Sequence, residues 1–280
     1  MHVYLWAFLP WCLLLPATFG KFLTFRKLLE YFALGGFVLT FIALSQSQYK
    51  LPHYIFITLP WAAILVGSAW NYAGKILWGI LYFSAFVALL IAFAALFFVF
   101  PTGNILPAGI TILATGVLCW KIIRDPFPVD FEVFVQRGVW VALIFGFVLN
   151  FHFYPHLLPY QSTPQAARFA HSKGIPPEKM FFFQSSSHAM EFYNGDIMEN
   201  LESLEKVKTV AEEQEGIWVF TSQAGKDTLE KAGLQIEETG RFQHFQVALL
   251  KPTFLNPATR EESLGRNFLL KIIYPHSISH

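Results

Sequence analysis

Residues 76–100, ILWGILYFSAFVALLIAFAALFFVF, form a run of 25 residues without a charged side chain. An α-helix rises about 1.5 Å per residue, and about 20 apolar residues cross the roughly 30 Å hydrocarbon core of a bilayer. The run is therefore long enough to span a membrane with some tilt. It predicts an integral membrane protein, and shorter runs of the same type lie on both sides of it.

The composition of the 280-residue chain agrees with this prediction. Hydrophobic residues make up 54% of the chain and charged residues 14%, against roughly 25% charged residues in an ordinary soluble domain. The charges are uneven, with 12 in residues 1–153 and 27 in residues 154–280. We therefore predict two domains: a transmembrane helical domain, 1–153, and a small α/β domain, 154–280. The formal net charge of +1 gives no basic surface that would indicate nucleic-acid binding.

Six apolar runs are candidate membrane spans, so we predict a polytopic helical membrane protein with about six transmembrane helices. The predicted spans are roughly 3–19, 29–45, 51–69, 76–100, 104–123 and 138–153. The first run could also be interpreted as a cleaved signal peptide. It has no basic start, and Pro10 and Pro16 interrupt it, so a membrane span is the better interpretation.

Basic residues in the predicted connections indicate the orientation. Seven of them follow the first, third and fifth spans: Lys21, Arg26, Lys27, Lys75, Lys121, Arg124 and Arg137. The connections after the second and fourth spans contain only Lys50. Because short loops rich in Lys and Arg stay in the cytoplasm, we predict that the N-terminus and the 154–280 domain are both extracytoplasmic.

The sequence after residue 154 predicts alternating helices and strands. Leu201, Leu204, Val207 and Val210 share one helical face, and short apolar runs are typical of buried strands. Helices are expected at 163–174, before Gly216 and at 224–234. Strands are expected at 180–184 and 217–222, with one or two further strands within 241–251. This order favours a small two-layer or three-layer sandwich.

Signatures of soluble enzymes are absent from the sequence, including the P-loop, GxGxxG, HExxH, GxSxG and CxxC patterns. Cys12 and Cys119 lie in apolar runs and match neither a disulfide framework nor a zinc site. The segment SSSHAMEFYNGD, 185–196, could be interpreted as a hydrolase site or as a polar loop with His188 on the surface. Catalytic triads are assembled by folding rather than by adjacency in sequence, which favours the loop.

The end of the last predicted span, FHFYPHLLPYQ (151–161), is rich in rings. It could be a ligand cluster or an interfacial aromatic belt, formed by His152, Tyr154, His156 and Tyr160. Amphipathic rings where a helix leaves the membrane favour the belt.

The segment SQSQYKLPHYIFITLPWAAIL, 45–65, is the most informative for function. Lys50 stands at the mouth of a predicted span, with His53 and Tyr54 beside it and two prolines bending the path. Two interpretations remain open at this point. Lys50 could snorkel to the interface within an aromatic belt, or it could meet a ligand at the outer surface.

This segment and LWAFLPWCLLL (5–15) resemble the central membrane region of GT-C glycosyltransferases. The resemblance is to the aminoarabinose lipid A transferase group and the dolichyl-phosphate-mannose protein mannosyltransferases. In that group a K-L-P-x-Y-type segment followed by a second proline recurs at the outer end of a late span. Such proteins continue into a small extracytoplasmic α/β domain. The resemblance covers most of residues 1–160 and, more loosely, the FYNGD region.

The resemblance implies transfer of a sugar from a polyprenyl-phosphate donor to an extracytoplasmic acceptor, with inversion at the anomeric carbon. Lys50 is then expected to contact the lipid phosphate, with His53 and Tyr54 as further hydrogen-bond donors. The expected partners are the lipid bilayer and the polyprenyl-phosphate-linked sugar, while the sequence specifies neither the sugar nor the acceptor. No cofactor is predicted, and a role for a divalent cation stays open.

The resemblance also exposes a missing element. The family's catalytic acids lie in its first large extracytoplasmic loop, whereas the outer connections predicted here, 46–50 and 101–103, contain no Asp or Glu. The acids of the membrane domain are all assigned to the cytoplasmic side: Glu30, Asp125, Asp130 and Glu132. We therefore expect the chain to correspond to the C-terminal half of such an enzyme, to lack its catalytic base and to be inactive alone. The alternative is a non-enzymatic membrane protein whose exported α/β domain binds a partner.

Overall fold

Helices dominate the first part of the chain, and a mixed sheet dominates the second. The computed structural model describes residues 4, 7–19, 28–46, 52–245 and 251–273. The chain divides into two units, Met1–Phe153 and Tyr154–His280. Each unit has its own packed core.

The first unit is entirely helical within the described residues. Its longer helices are α1 (Leu28–Gln46), α2 (Leu59–Ala94), α3 (Ile105–Arg124) and α4 (Phe131–Val148). Its shorter elements are 3₁₀-helices at Trp11–Leu14 and Pro52–Thr58, a helix at Leu15–Phe19, and π-helices at Ala95–Val99 and Leu149–Phe153.

Three helical stretches among the described residues are long and apolar enough to cross a membrane. They are Ala73–Val99, Ile105–Arg124 and Phe131–Tyr160, and two shorter apolar helices lie at Tyr31–Gln46 and Tyr54–Trp70. The predicted fold class, a polytopic helical membrane protein followed by a small α/β domain, is confirmed in its coarser form: the chain is mostly helical, with three candidate membrane-spanning helices and a small mixed sheet. The predicted number of six spans is not confirmed.

Helix α2 is continuous where the sequence predicted a connection between two spans. It runs unbroken from Leu59 to Ala94, and Lys75 lies exposed on its surface. The prediction of a separate loop at Lys75 is therefore wrong. No proline interrupts WNYAGK, 70–75, and one glycine does not stop a helix. The 36 residues have a length of about 54 Å, so α2 extends beyond the roughly 30 Å of hydrocarbon.

Helices α2 and α4 run in the same direction. The rings of Trp78 and Phe134 lie 5.1 Å apart near the start of α4, and the side chain of His152 reaches the carbonyl of Phe100 at its other end. The Pro52–Thr58 segment and Phe100 are therefore at opposite ends of α2. The sequence prediction placed the connections 46–50 and 101–103 on one side of the membrane by means of a connection at Lys75, which the continuous α2 does not contain. The membrane side of the two connections stays a prediction.

Arg137 lies inside α4 rather than in a loop. The sequence prediction began the last span at 138, but the helix begins at Phe131. Phe134, Arg137, Gly138 and Val141 are all buried on α4, and this spacing is that of one helical face. Charged residues within 130–137 interrupt the apolar run, so the sequence prediction began the helix too late.

Aromatic rings around Phe134 form the centre of the first unit. Phe134 is fully buried, and its ring lies within 5.6 Å of the rings of Trp11, Trp70 and Trp78. Tilted and edge-to-face pairs of this kind add to the stabilisation given by burial alone. The N-terminal segment, α2 and α4 are thus packed against each other through one residue.

The second unit contains four helices of seven or more residues and one sheet among its described residues. The helices are α5 (Ser162–Ser172), α6 (His188–Asn194), α7 (Leu204–Glu213) and α8 (Gln223–Lys231). The strands are β1 (Met180–Phe183), β2 (Ile217–Ser222), β3 (Gln235–His244) and β4 (Gly265–Ile273). Short helical turns occupy Tyr154–Leu157, Leu158–Tyr160, Pro177–Lys179, Pro252–Leu255 and Glu261–Ser263.

The strand order of the sheet is β1-β2-β4-β3. Strands β1 and β2 are parallel, whereas β4 is antiparallel to both β2 and β3. All four residues of β1 are buried, because helices cover both faces. Helices α5 and α6 supply Ala166, Ala170 and Met190 to one face, and α7 and α8 supply Val207 and Leu229 to the other. The unit is therefore a three-layer α/β sandwich.

Candidate functional site

The approach to α2 is a 3₁₀-helix, Pro52–Thr58, followed by Pro60 in the first turn of the α-helix. Proline is favoured at a helix start, because its missing N–H would have no partner there. Thr58 is fully buried, and its hydroxyl donates a hydrogen bond of 2.6 Å to the carbonyl of Ile55. This bond satisfies a polar group that burial would otherwise leave unpaired.

Three site residues were predicted at this approach or just before it in the sequence: Lys50, His53 and Tyr54. Lys50 lies outside the described residues. The backbone of His53 is in the Pro52–Thr58 helix, but its side chain also lies outside what the structure describes. Tyr54 is exposed, as are Phe56 and Ile57 beside it. The segment thus offers a phenol and an apolar surface at the start of α2, and the roles of Lys50 and His53 remain predictions.

An apolar cavity of about 310 Å³ lies along the first turns of α2. This volume is at the lower end of the roughly 300–1,000 Å³ range of small-molecule sites. Its lining residues come from the N-terminal segment, α2 and α4: Phe8, Trp11, Ala63, Val66, Gly67, Phe131, Phe134, Val135 and Val139. Every one of them is apolar, so the cavity suits a hydrocarbon chain rather than a sugar or phosphate.

Sequence reasoning missed this cavity, because its walls come from segments more than 50 residues apart. Gly67 provides part of the space, since a Cβ added there would touch only the ring of Phe131, at 4.0 Å. The apolar runs predicted each wall separately. Only the packing of α4 beside α2 brings the walls together.

His152 is buried, which contradicts the predicted interfacial belt at this position. Its Nε2 donates a hydrogen bond of 2.7 Å to the carbonyl oxygen of Phe100. The bond joins the ends of two π-helices, Ala95–Val99 and Leu149–Phe153. Tyr154 and His156 are exposed and Tyr160 is half-buried. In the described part of the chain, no group of three His, Cys, Asp or Glu side chains could hold a metal ion.

The 185–196 segment does not form a catalytic triad in the described structure. It folds as α6 rather than as the predicted loop, with the hydroxyl of Ser187 accepting from the amide of Met190 at the helix start. His188 is exposed as predicted, and its Nδ1 lies 3.0 Å from Glu191 Oε2. Asp196 accepts from the amide of Ile197 instead of contacting the histidine.

A second polar cluster was not predicted. Asn267 Nδ2 donates to Ser162 Oγ over 2.8 Å, and Ser162 Oγ lies 3.0 Å from His244 Nδ1. Ser162 is fully buried, and burial lowers the pKa of His244. Ser162 is buried and the cluster joins α5 to strands β3 and β4, so we assign it a structural role.

Comparison with known proteins supports the fold. No family model matches the chain, and no curated protein matches it at a significant level. Among solved structures, ArnT from Cupriavidus metallidurans bound to undecaprenyl phosphate is similar over 94% of this chain, with a TM-score of 0.54 and 17% identity. The apo state of that protein covers 84% of this chain, with a TM-score of 0.47 and 17% identity.

The likeness defines a class of fold. At 17% identity it shows the fold alone, which is the fold of that ArnT chain, a member of the group that the sequence resemblance pointed to. The particular family within the class is not shown. The chain spans half the length of the ArnT chain in the undecaprenyl phosphate complex, 50%.

Proposed function

We propose that this chain is the carrier-binding part of a GT-C-type membrane glycosyltransferase. It binds a polyprenyl-phosphate-linked sugar, and the complete reaction moves that sugar to an extracytoplasmic acceptor with inversion. The observation that carries this proposal is the fold likeness over 94% of the chain to a protein whose structure holds undecaprenyl phosphate.

The two parts of the ligand bind at two places: the hydrocarbon chain binds in the apolar cavity, and the phosphate binds at the Lys50 segment. A polyprenyl chain is a hydrocarbon, and the cavity beside Gly67 is lined by apolar side chains that can pack against it. Lys50 is the phosphate contact, because an ammonium meets a phosphate more strongly at a partly desolvated interface than in water. His53 and Tyr54 are additional hydrogen-bond donors to the phosphate.

The catalytic base stays unassigned in this proposal. The acids with described side chains in the first unit are Asp125, Asp130 and Glu132, and all three are exposed between or at the ends of α3 and α4. None of them lines the cavity. The chain therefore contributes binding of the carrier, and deprotonation of the acceptor is not attributed to any of its residues.

The membrane side of the Lys50 segment bears directly on this proposal. Transfer to an extracytoplasmic acceptor requires the lipid phosphate to be on the extracytoplasmic side, where we also place the second unit. A continuous α2 instead separates the Pro52–Thr58 segment from Phe100, near which α4 ends. The carrier can bind whichever side of the membrane the Lys50 segment faces. Transfer of the sugar requires that the segment face the extracytoplasmic side.

Filling the cavity tests the binding proposal. A Gly67→Leu side chain would occupy the space now open beside Phe131, so binding of undecaprenyl phosphate to the purified chain in detergent should weaken by about tenfold or more. Gly74→Leu is the matched control, because Gly74 lies on the same helix and outside the cavity. Equal binding by the two variants would contradict the proposed position of the lipid chain.

A non-enzymatic function is the second candidate, and one observation favours it. Phe192 and Ile197, five positions apart in the chain, are 80% and 86% exposed on the second unit, and a contiguous patch of such side chains would mark an interaction surface. If this unit only binds a partner, the first unit needs no lipid carrier. The two candidates therefore differ in whether the chain binds polyprenyl phosphate saturably.

A further inference from the structure

Two basic side chains at the end of α3 are stacked on tryptophan rings. The guanidinium of Arg124 lies 5.5 Å from the centre of the Trp120 ring, and Lys121 Nζ lies 5.7 Å from the centre of the Trp140 ring. Stacking leaves the N–H groups at the edge of a guanidinium free to donate. Residues three apart share a helical face, so Lys121 and Arg124 can reach the same small anion.

Arg137, a buried residue of α4, contacts this end of α3. Its side chain is only 5% exposed, and it donates to the carbonyl oxygen of Lys121 at 3.3 Å and to the hydroxyl of Tyr82 at 2.6 Å. Its guanidinium also lies 5.2 Å from the ring centre of Trp78. These contacts occupy Arg137 and fix the last turn of α3, from which Lys121 and Arg124 project.

The charges of these cations are not matched by ion pairs. Within the described residues, Lys121, Arg124 and Arg137 have no carboxylate oxygen within 4.0 Å. All of the ion pairs among the described residues lie in the second unit. The acids nearest in sequence are Asp125, Asp130 and Glu132, all exposed. An anion that approaches the two stacked cations therefore gains attraction that no carboxylate already supplies.

The surroundings of the two cations are those of a lipid interface. Trp120, Ile123 and Val129 are exposed large apolar residues next to them, and α3 is one of the helices long enough to span a membrane. Tryptophan is enriched where the hydrocarbon meets the headgroups. A phospholipid whose phosphate binds there would place its acyl chains against these apolar residues.

We propose that Lys121 and Arg124 bind the phosphate of an anionic phospholipid at the α3–α4 end of the first unit. Arg137 acts as a positioning residue for this site. None of these three residues lines the apolar cavity, and the site does not depend on the proposed glycosyltransferase function. The positive-inside prediction assigns this end to the cytoplasmic leaflet, where anionic lipids concentrate.

Native mass spectrometry of the full chain in detergent tests the site. We expect phosphatidylglycerol to bind more tightly than phosphatidylcholine, and Lys121→Gln with Arg124→Gln to weaken the phosphatidylglycerol affinity about tenfold. Lys208→Gln with Lys231→Gln is the matched control, because it removes two exposed lysines from the second unit. This control should bind phosphatidylglycerol like the unchanged chain.

Three results would overturn the proposal. Equal affinity for the two lipids would show that charge is not recognised, and equal losses in both double variants would show attraction to net charge only. Competition by soluble glycerol phosphate at concentrations comparable to the lipid would identify a free phosphate as the ligand. If the double variant unfolds, the single Arg124→Gln variant, whose side chain is exposed, gives the same comparison.

Discussion

His244 shows how one buried contact makes the second unit sensitive to pH. His244 Nδ1 lies 3.0 Å from Ser162 Oγ, which also accepts a hydrogen bond from Asn267 Nδ2. Burial lowers the pKa of His244 below its ordinary value of 6.5. The contribution of this neutral histidine to stability is therefore complete above about pH 6.5 and is lost as the pH falls through the folded-state pKa.

We expect the thermal unfolding midpoint of the full chain in detergent to fall between about pH 8 and about pH 5, and His244→Gln to reduce this difference because it removes the titrating group. His171→Gln is the control, since His171 is an exposed histidine on α5. A pH dependence that is the same in His244→Gln as in the unchanged chain would show that His244 is not the group responsible.

Single-residue predictions from the sequence succeeded where exposure alone mattered. His188 was expected on the surface and is there. Contacts between distant residues were beyond prediction, because periodicity identifies the buried face of an element but not the partner that covers it. Arg137 and Tyr82 are 55 positions apart, and Ser162 and His244 are 82 apart.

At the scale of elements, Gly138 fixes how closely α4 approaches the N-terminal segment. A Cβ at Gly138 would overlap the indole of Trp11, whereas a Cβ at Gly146 on the same helix would meet nothing within 4 Å. We expect Gly138→Ala to lower the free energy of unfolding by about 1–3 kcal/mol through overpacking. Gly146→Ala should leave it unchanged or slightly raised, because alanine is the better helix former.

Thermal or denaturant unfolding of the two alanine variants in the same detergent measures this difference. The difference in the free energy of unfolding between the two variants reports on packing, because both substitutions add one methyl group to the same helix, α4. If Gly138→Ala is as stable as Gly146→Ala, then Trp11 is not held against α4 as the structure describes.

Elements with a strong, uninterrupted pattern were predicted well. The apolar run at 104–123 corresponds to α3, and the amphipathic spacing before Gly216 corresponds to α7. Strand β4 was missed, although it is the strand that joins β2 to β3. Its sequence, GRNFLLKII, begins with polar residues and lacks alternation, because a strand covered on both faces needs none.

Errors in the predicted connections came from treating charged residues as loop residues. Lys75 lies on the surface of a continuous helix, and Arg137 is buried with neutral hydrogen-bond partners. A long charged side chain can belong to a helix either by reaching the surface, as Lys75 does, or by finding buried hydrogen-bond partners, as Arg137 does. Hydropathy alone could therefore not distinguish these positions from loops. Assignments of membrane side that counted these residues in loops lose part of their basis.

At the scale of the whole molecule, the continuity of α2 makes a clear prediction about topology. One candidate span, Phe131–Tyr160, separates residues 124–130 from Gly174. Reporter fusions at those two places should therefore give opposite results, with the fusion after Gly174 reporting the extracytoplasmic side. For a fusion in the connection 47–51, a continuous α2 predicts agreement with the fusion at 124–130, whereas the proposed sugar transfer requires agreement with the fusion after Gly174.

Agreement between the fusions at 47–51 and after Gly174 would show that α2 breaks near Lys75 in the membrane. It would also place Lys50 on the side that sugar transfer to an extracytoplasmic acceptor requires. A cytoplasmic result after Gly174 would contradict the proposed location of the second unit.

Equilibrium binding of undecaprenyl phosphate to the purified full chain tests the central claim most directly. We expect saturable binding that Lys50→Ala weakens by roughly 10- to 150-fold, the loss of one charge-assisted contact. Lys50→Arg should retain part of the affinity because the charge remains, and Lys208→Ala, an exposed control, should bind normally. The account is contradicted if the unchanged chain shows no saturable binding, or if Lys50→Ala remains folded and binds as tightly.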